Sequence, residues 1–338
     1  MIPDLIEPLG WLHGAAAGDA IAAGLARPLA GGPAAFSLAR LLPGGTVVPV
    51  AAVPPRWRPV LDRIAAPARG WAGLAGRPAV MGILNVTADS FSDGGQTLDP
   101  ERAIAAGLAM AAAGADLVDV GGESTRPGAQ AIPPAEESRR VVPVVRALAA
   151  QGVIVSVDTR HAATMAAALD AGARIVNDVS ALAHDPGALG LVAARSCPVV
   201  LMHMRGQPDT MGELSHYGDV AAEVAAELAG RVAAAMAAGV APAAIALDPG
   251  IGFAKNLDAN LALLARLGVL LGLGFPLVVG VSRKSFIGRI SGEAEPRQRL
   301  AGSLAAGLAA SLAGAAVLRV HDVADTVQAL RLWRAILG

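Results

Sequence analysis

Polar side chains recur where apolar runs of this 338-residue chain end. Asn85 is followed by Thr87, Asp89, Ser90, Ser92 and Asp93. Further on come Glu123, Ser124, Thr125 and Arg126, then Asp158, then Asn177 and Asp178. His203 and Arg205, Asp248, the run Ser282, Arg283, Lys284 and Ser285, and finally Arg319, His321 and Asp322 complete the series. Two carboxylates and an amide (Asp158, Asn177, Asp248) suit a ligand edge that presents N–H donors. Lys284, Arg319, Arg126 and His321 suit phosphate, alone or with a metal. A heterocycle with a guanidine-like edge and a diphosphate tail would use both sets. Each residue also has an ordinary structural reading. Asp158 or Asp248 could cap the helix that follows, Asn177 could sit in a turn, and His203 could be a satisfied core histidine. Capping alone does not account for polar residues at eight successive run ends.

The runs themselves are short, apolar and β-prone. They are AVMGIL from Ala79, DLVDVG from Asp116, VIVSVD from Val153, RIVND from Arg174, PVVLMHM from Pro198, AIALDPG from Ala244, PLVVGVS from Pro276 and AVLRVH from Ala316. Stretches of helical length and pattern lie between them, including 100–113, 135–150, 219–238 and 322–337. Strands apolar on both faces predict a parallel sheet covered by helices. Eight β/α units in roughly 260 residues predict a (β/α)₈ TIM barrel, with the polar ends gathered at its C-terminal mouth. A doubly wound open sheet would use fewer strands and a switch point. Residues 1–75 do not share the rhythm. They hold Ala-rich segments and the Pro-rich stretch VPVAAVPPRWRPV from Val48, and are expected to form an N-terminal extension packed on or near a barrel of residues 76–338.

Composition narrows the function. Hydrophobic residues make up 54% of the chain and the net charge is −1, so a large core is available and no basic surplus exists to hold nucleic acid. The lone Cys197 fits a reducing, cytoplasmic setting. Acidic residues stand at the N-terminus where a secretory signal would carry basic ones. The uncharged stretch 300–318 is mostly Ala, Gly and Ser; it predicts a buried helix running into a strand, and no membrane association is expected. Of 27 basic residues only Lys255 and Lys284 are lysine. A chain that writes Arg elsewhere has reason to keep a compact ammonium at such a position.

The motifs GILNVTADSFSDGG from Gly82, DVGGESTRPGA from Asp119, SVDTRHAATMAAALDAGARIVNDVSAL from Ser156, LMHMRGQPDTM from Leu201, LDPGIGFAKN from Leu247, GVSRKSFIG from Gly280 and RVHDV from Arg319 resemble those of dihydropteroate synthases. They occur in family order across the whole predicted barrel. The resemblance implies that a pterin diphosphate condenses with 4-aminobenzoate, that Mg²⁺ is the cofactor, and that the enzyme is a homodimer. It implies that Asp158, Asn177, Asp248 and Lys284 hold the pterin, and that Arg319 lies on the ring and meets the diphosphate. His321 and Asn85 belong near the diphosphate, with Asn85 a metal ligand. Phe91, Thr125, Pro127, Phe253 and Ser285 form the benzoate site, while Asp93 and Arg126 act from loops 87–95 and 122–130 once these close. Ala88 departs from the proline common in the family, which frees φ there. Two other readings carry different expectations. A corrinoid-dependent methyltransferase barrel shares the fold but has no use for a diphosphate clamp. A non-catalytic paralogue would bind pterin without turnover, with the extension as a candidate regulator.

Overall fold

The computed structural model describes residues 3–67, 69–74, 78–86, 99–124, 132–207 and 210–337. Eight strands form one parallel sheet: β5 (Ala79–Asn85), β6 (Leu117–Gly121), β7 (Val155–Asp158), β8 (Ile175–Asp178), β9 (Val199–Met202), β10 (Ile245–Asp248), β11 (Val278–Gly280) and β12 (Val317–Val320). Each pairs with its sequence neighbour, and β12 returns to β5 with Val317 opposite Ala79. The ring closes between β10 and β11 by a bridge from Leu247 to Leu277, with the Leu247 N–H donating to the Pro276 carbonyl at 2.9 Å. This is the TIM barrel that the sequence predicts. All eight β-prone runs are strands.

Side chains alternate in and out along every strand. Met81, Leu117, Ile175, Val200, Ala246, Val278 and Val317 fill the lower interior together with Trp71, whose indole N–H donates to the Ala244 carbonyl at 2.9 Å and plugs the floor. Outward residues such as Val80, Val118, Val157, Val176, Leu201, Leu247, Val279 and Leu318 join a second core beneath the helices.

The helices follow the predicted pattern closely: α3 (Pro100–Ala112), α4 (Pro134–Ala150), α5 (Ala162–Asp170), α6 (Ala188–Arg195), α7 (Val220–Ala237), α8 (Leu257–Ala265), α9 (Ser285–Ser291), α10 (Leu300–Leu312) and α11 (Val323–Leu337). Asp99 and Asp219 cap α3 and α7 through their side chains. The uncharged stretch 300–318 is α10 leading into β12, but α10 buries only one face, at Ser303, Gly307 and Ala310. Alanine is tolerated in water as well as in a core, so absence of charge did not mean full burial. Among the described residues no helix is long and apolar enough to cross a membrane.

The N-terminal residues build a small antiparallel sheet of β1 (Leu5–Leu12), β2 (Arg27–Pro28), β3 (Ala35–Leu42) and β4 (Val47–Pro49), with β1 on one edge of β3 and β2 and β4 on the other. Helices α1 (Ala15–Ala22) and α2 (Arg58–Ala65) accompany it. Leu5, Ile6, Phe36, Leu61 and Ile64 are continuous with the barrel's outer core. The sheet and α2 pack on 267–273, the 3₁₀ segment that links α8 to β11. Arg63 donates to the Gly272 carbonyl at 2.6 Å. Glu7 meets both Arg40 at 2.9 Å and Arg266 at 3.0 Å, and Arg266 forks onto Asp219 at 2.7 and 3.1 Å. The extension therefore lies against the wall beside the β10–β11 closure.

Candidate active site

The upper interior of the barrel is polar. By strand parity Asn85, Asp119, Ser156, Asp158, Asn177, Asp248 and Arg319 all point inward above the apolar floor. Arg319, on β12, reaches across the mouth. Its Nε donates to Asp119 Oδ2 and its Nη2 to Asp158 Oδ2, both at 2.6 Å. The same Asp119 oxygen accepts from the Asn177 amide at 2.9 Å. Asp119 is 0% exposed, and its Oδ1 and the Ser156 hydroxyl across the β6–β7 ladder have no partner among the described residues.

Asp248 ends β10 and accepts the Gly250 N–H at 2.7 Å. Its segment turns sharply: Gly250 has φ of +66°, and a Cβ there would overlap the His203 carbonyl, so glycine is required. Lys284, following β11, donates to the Ile251 carbonyl and lies 4.7 Å from the centre of the Phe253 ring. Ser285 is the first residue of α9 and is exposed. His321 is held by Ser282, whose hydroxyl accepts the His321 N–H at 3.2 Å and lies 3.0 Å from Nδ1. Arg283 and Asp322 form an ion pair that ties the loop after β11 to the one after β12.

Burial sets the charges. It pushes the Asp158 carboxyl up to about 7 against the pull of Arg319, with the Asp119 carboxylate adding to the rise. Asp248 is raised by the same desolvation, opposed by Lys284. Lys284 is lowered to about 8 by burial, with Asp248 resisting and Arg319 assisting. Arg319 stays fully charged, because Asp119 and Asp158 outweigh its desolvation.

The fold brings together Asn85, Asp158, Asn177, Asp248, Lys284 and Arg319, with Phe253 and His321 on the loops and Ser285 opening α9 at that end of the barrel. Asp158 and Asn177 turn inward to side-chain partners, so neither serves as a cap or turn residue. Other polar strand ends face outward. Asp178 accepts from the Ser180 and Leu182 N–H groups, and His203 sits between Lys255 and Glu227 as a satisfied histidine. Glu123 forks onto Arg160 at 3.0 and 3.1 Å, beside the pair of Glu137 and His161. Those three acid and histidine groups have the spacing of metal ligands, but the Arg160 guanidinium already neutralises Glu123. Phe91, Asp93, Thr125, Arg126 and Pro127, like Ala88, lie outside the described residues. Asp119 was missed by sequence reasoning, although a carboxylate alternating with Leu117, Val118 and Val120 in a buried strand is a visible signal.

The pterin-binding enzyme family model matches residues 81–321. The Escherichia coli K12 dihydropteroate synthase is 46% identical over 262 residues, which is 77% of this chain and 92% of that protein. This chain belongs to the dihydropteroate synthase family. A Xanthomonas albilineans dihydropteroate synthase solved with 4-aminobenzoic acid superposes with a TM-score of 0.73 at 52% identity, covering 77% of this chain and 93% of that one. A structure of the Xanthomonas albilineans dihydropteroate synthase in complex with 7,8-dihydropteroate gives 0.70 at 49% identity, over 77% and 94%. The family match begins at Met81, so the N-terminal sheet lies before it.

Proposed function

We propose that this protein condenses (7,8-dihydropterin-6-yl)methyl diphosphate with 4-aminobenzoate to give 7,8-dihydropteroate and diphosphate, the condensing step of folate biosynthesis. The observation that carries the reading is the convergence of Asp158, Asn177, Asp248, Lys284 and Arg319 in one buried barrel mouth. Family relatives solved with 4-aminobenzoic acid and with dihydropteroate support the two substrates.

Asp248 offers a carboxylate to the 2-amino and N3 donors of the pterin edge, and Asp158 and Asn177 complete the ring's polar partners. Lys284 donates to the ring's O4 and N5, leaving its contact with the Ile251 carbonyl. Arg319 lies on the ring face and meets the diphosphate, with His321 beside it. The methylene C–O bond breaks with its electron pair leaving on diphosphate, and the cation is delocalised into the pterin. The aniline nitrogen attacks this carbon, forms the C–N bond and sheds a proton to solvent or to the departing diphosphate. An aniline is unprotonated at neutral pH, so no strong base is needed. Phe253, Ser285, Phe91, Thr125 and Pro127 seat the benzoate, and Asp93 and Arg126 close over the reacting atoms.

Asn85 suits Mg²⁺ by type: it is a neutral oxygen donor at the mouth, and magnesium keeps waters and phosphate oxygens for its remaining positions. Bound there, the ion would neutralise charge building on the leaving diphosphate. A cytoplasmic homodimer completes the proposal.

Two results test it. Diphosphate release should require 4-aminobenzoate and fall by about 100-fold or more in Lys284→Ala, as for loss of a preorganised charge. Release independent of the amine, or unchanged in the variant, would sink the assignment. The pH profile of kcat/KM should be narrow. It rises as Asp158 loses its proton near 7 and falls as Lys284 loses its own near 8. A flat profile from pH 6 to about 9 would contradict the charge states required.

A further inference from the structure

The chain's other lysine lies behind the same segment that Lys284 touches from the front. Lys255 is 8% exposed, and its ammonium has three acceptors: His203 Nδ1 at 2.9 Å, the Gly250 carbonyl at 3.0 Å and the Phe253 carbonyl at 2.9 Å. Three N–H bonds meet three acceptors. His203 is thereby placed to donate its Nε2–H to Glu227 at 3.0 Å, and Glu227 is held by Arg205. The His203 N–H also donates to the Asp248 carbonyl at 2.9 Å. Two anchors of the segment, Asp248 and Phe253, thus share one buried support that reaches neither pterin nor benzoate.

We propose that Lys255 is a positioning residue, whose ammonium fixes the Gly250 and Phe253 carbonyls so that Asp248 and Phe253 are presented to the two substrates. The inference rests on the function proposed above. A planar guanidinium could not place three donors on these acceptors from a space bounded by Gly250, where a Cβ would already lie 3.5 Å from Nζ. That explains a lysine at this site in a chain whose other basic residues, Lys284 aside, are all arginine.

The arrangement makes the support sensitive to protonation. Burial lowers Lys255 to about 7; Asp248 and Glu227 resist, and Lys284 and Arg205 assist. His203 touches it directly and is itself lowered by burial, while Tyr217 closes the cluster with its hydroxyl on the Ala254 carbonyl. A neutral amine has two N–H bonds for three acceptors and releases one of them, which loosens the support.

Lys255→Met tests the role. In folded variant protein, KM for the pterin diphosphate should rise about tenfold or more while kcat changes by less than about threefold, the pattern of lost binding geometry. Lys255→Arg should not restore KM. A second measurement uses the unmodified chain. Carbon-13 labelling at lysine Cε gives two resonances, assigned with Lys255→Met or, should it not fold, Lys284→Met. Saturating 7,8-dihydropteroate should move the titration midpoint of the Lys255 resonance upward, because binding to the ordered segment and protonation are linked. An unmoved midpoint, or an unchanged KM in active Lys255→Met, overturns the role and leaves the proposed function standing. A wild-type protein inert toward both substrates overturns that function instead, and this inference with it.

Discussion

Arg319→Lys should lower kcat/KM by about 100- to 1000-fold, a loss comparable to removing a preorganised donor from the reacting charge. The reason is geometric. Arg319 satisfies Asp119 through Nε and Asp158 through Nη2 while leaving the rest of its plane for substrate. A lysine ammonium is a single point and cannot span both carboxylates. Arg319→Met goes further and leaves the carboxylates buried without their cation, which costs about 3–5 kcal/mol of stability. Part of that cost should return when Asp119→Asn is added, because the two residues are in contact and their effects do not add. The single variant should also be more pH-sensitive than wild type. The Asp158 carboxyl is already pushed up to about 7 in the presence of Arg319, and removing the cation pushes it higher still. A carboxyl raised in the folded state favours folding at low pH, and that contribution is lost as pH rises through the folded value. Arg319→Met should therefore melt at a lower temperature at pH 8.5 than at about pH 6. A pH dependence no steeper in the variant than in wild type would mean that Asp158 does not feel the arginine.

Asp119→Ala should raise KM for the pterin diphosphate by about 10- to 100-fold and lower kcat as well, since truncating a buried charged acceptor costs about 1.5–3 kcal/mol and more when its donors are stranded. One oxygen of Asp119 orients two substrate-facing groups at once, the Asn177 amide and the Arg319 guanidinium. Asp119→Asn should fall between wild type and alanine. Its amide oxygen can accept both donors but brings no negative charge to the arginine. Steady-state kinetics on the three proteins decides the matter: wild-type constants in Asp119→Ala would show that Arg319 and Asn177 are oriented by something else.

The barrel was readable because its strands are short apolar runs of even spacing. The limit was side-chain direction. Asn177 and Asp178 are neighbours on β8, so only one can enter the barrel; Asn177 does, and Asp178 turns out to hold the turn at Ser180. His203 likewise belongs to the outer wall, although it follows β9 as directly as Asp248 ends β10. Period-two alternation separates these residues once the register is known. Asp119 went unassigned because it lies within a strand, and attention to strand ends passes over it. Lys255 was singled out by residue usage but given no partner, since its acceptors are two backbone carbonyls and a histidine 52 positions away. The N-terminal sheet left little trace. β1 carries Pro8 and Gly10, which interrupt a strand pattern, and α1 is a run of small residues with no clear face.

The extension's berth on 267–273 has a consequence for the order in which the chain can assemble. Residues 5–65 leave the ribosome before the barrel does, yet the surface that receives Pro8, Val60 and Arg63 is not made until more than 200 residues later. The strand closing the ring, β11, follows directly after that surface. Docking this earlier-made segment and closing the barrel are thus both long-range events deferred until the last strands have been made. Contacts of this separation carry a large loop-closure cost and slow folding. Until then the apolar faces of β1, β3 and α2 have no barrel to cover them, and a nascent chain stalled before residue 267 would present them to solvent, to chaperones or to other chains.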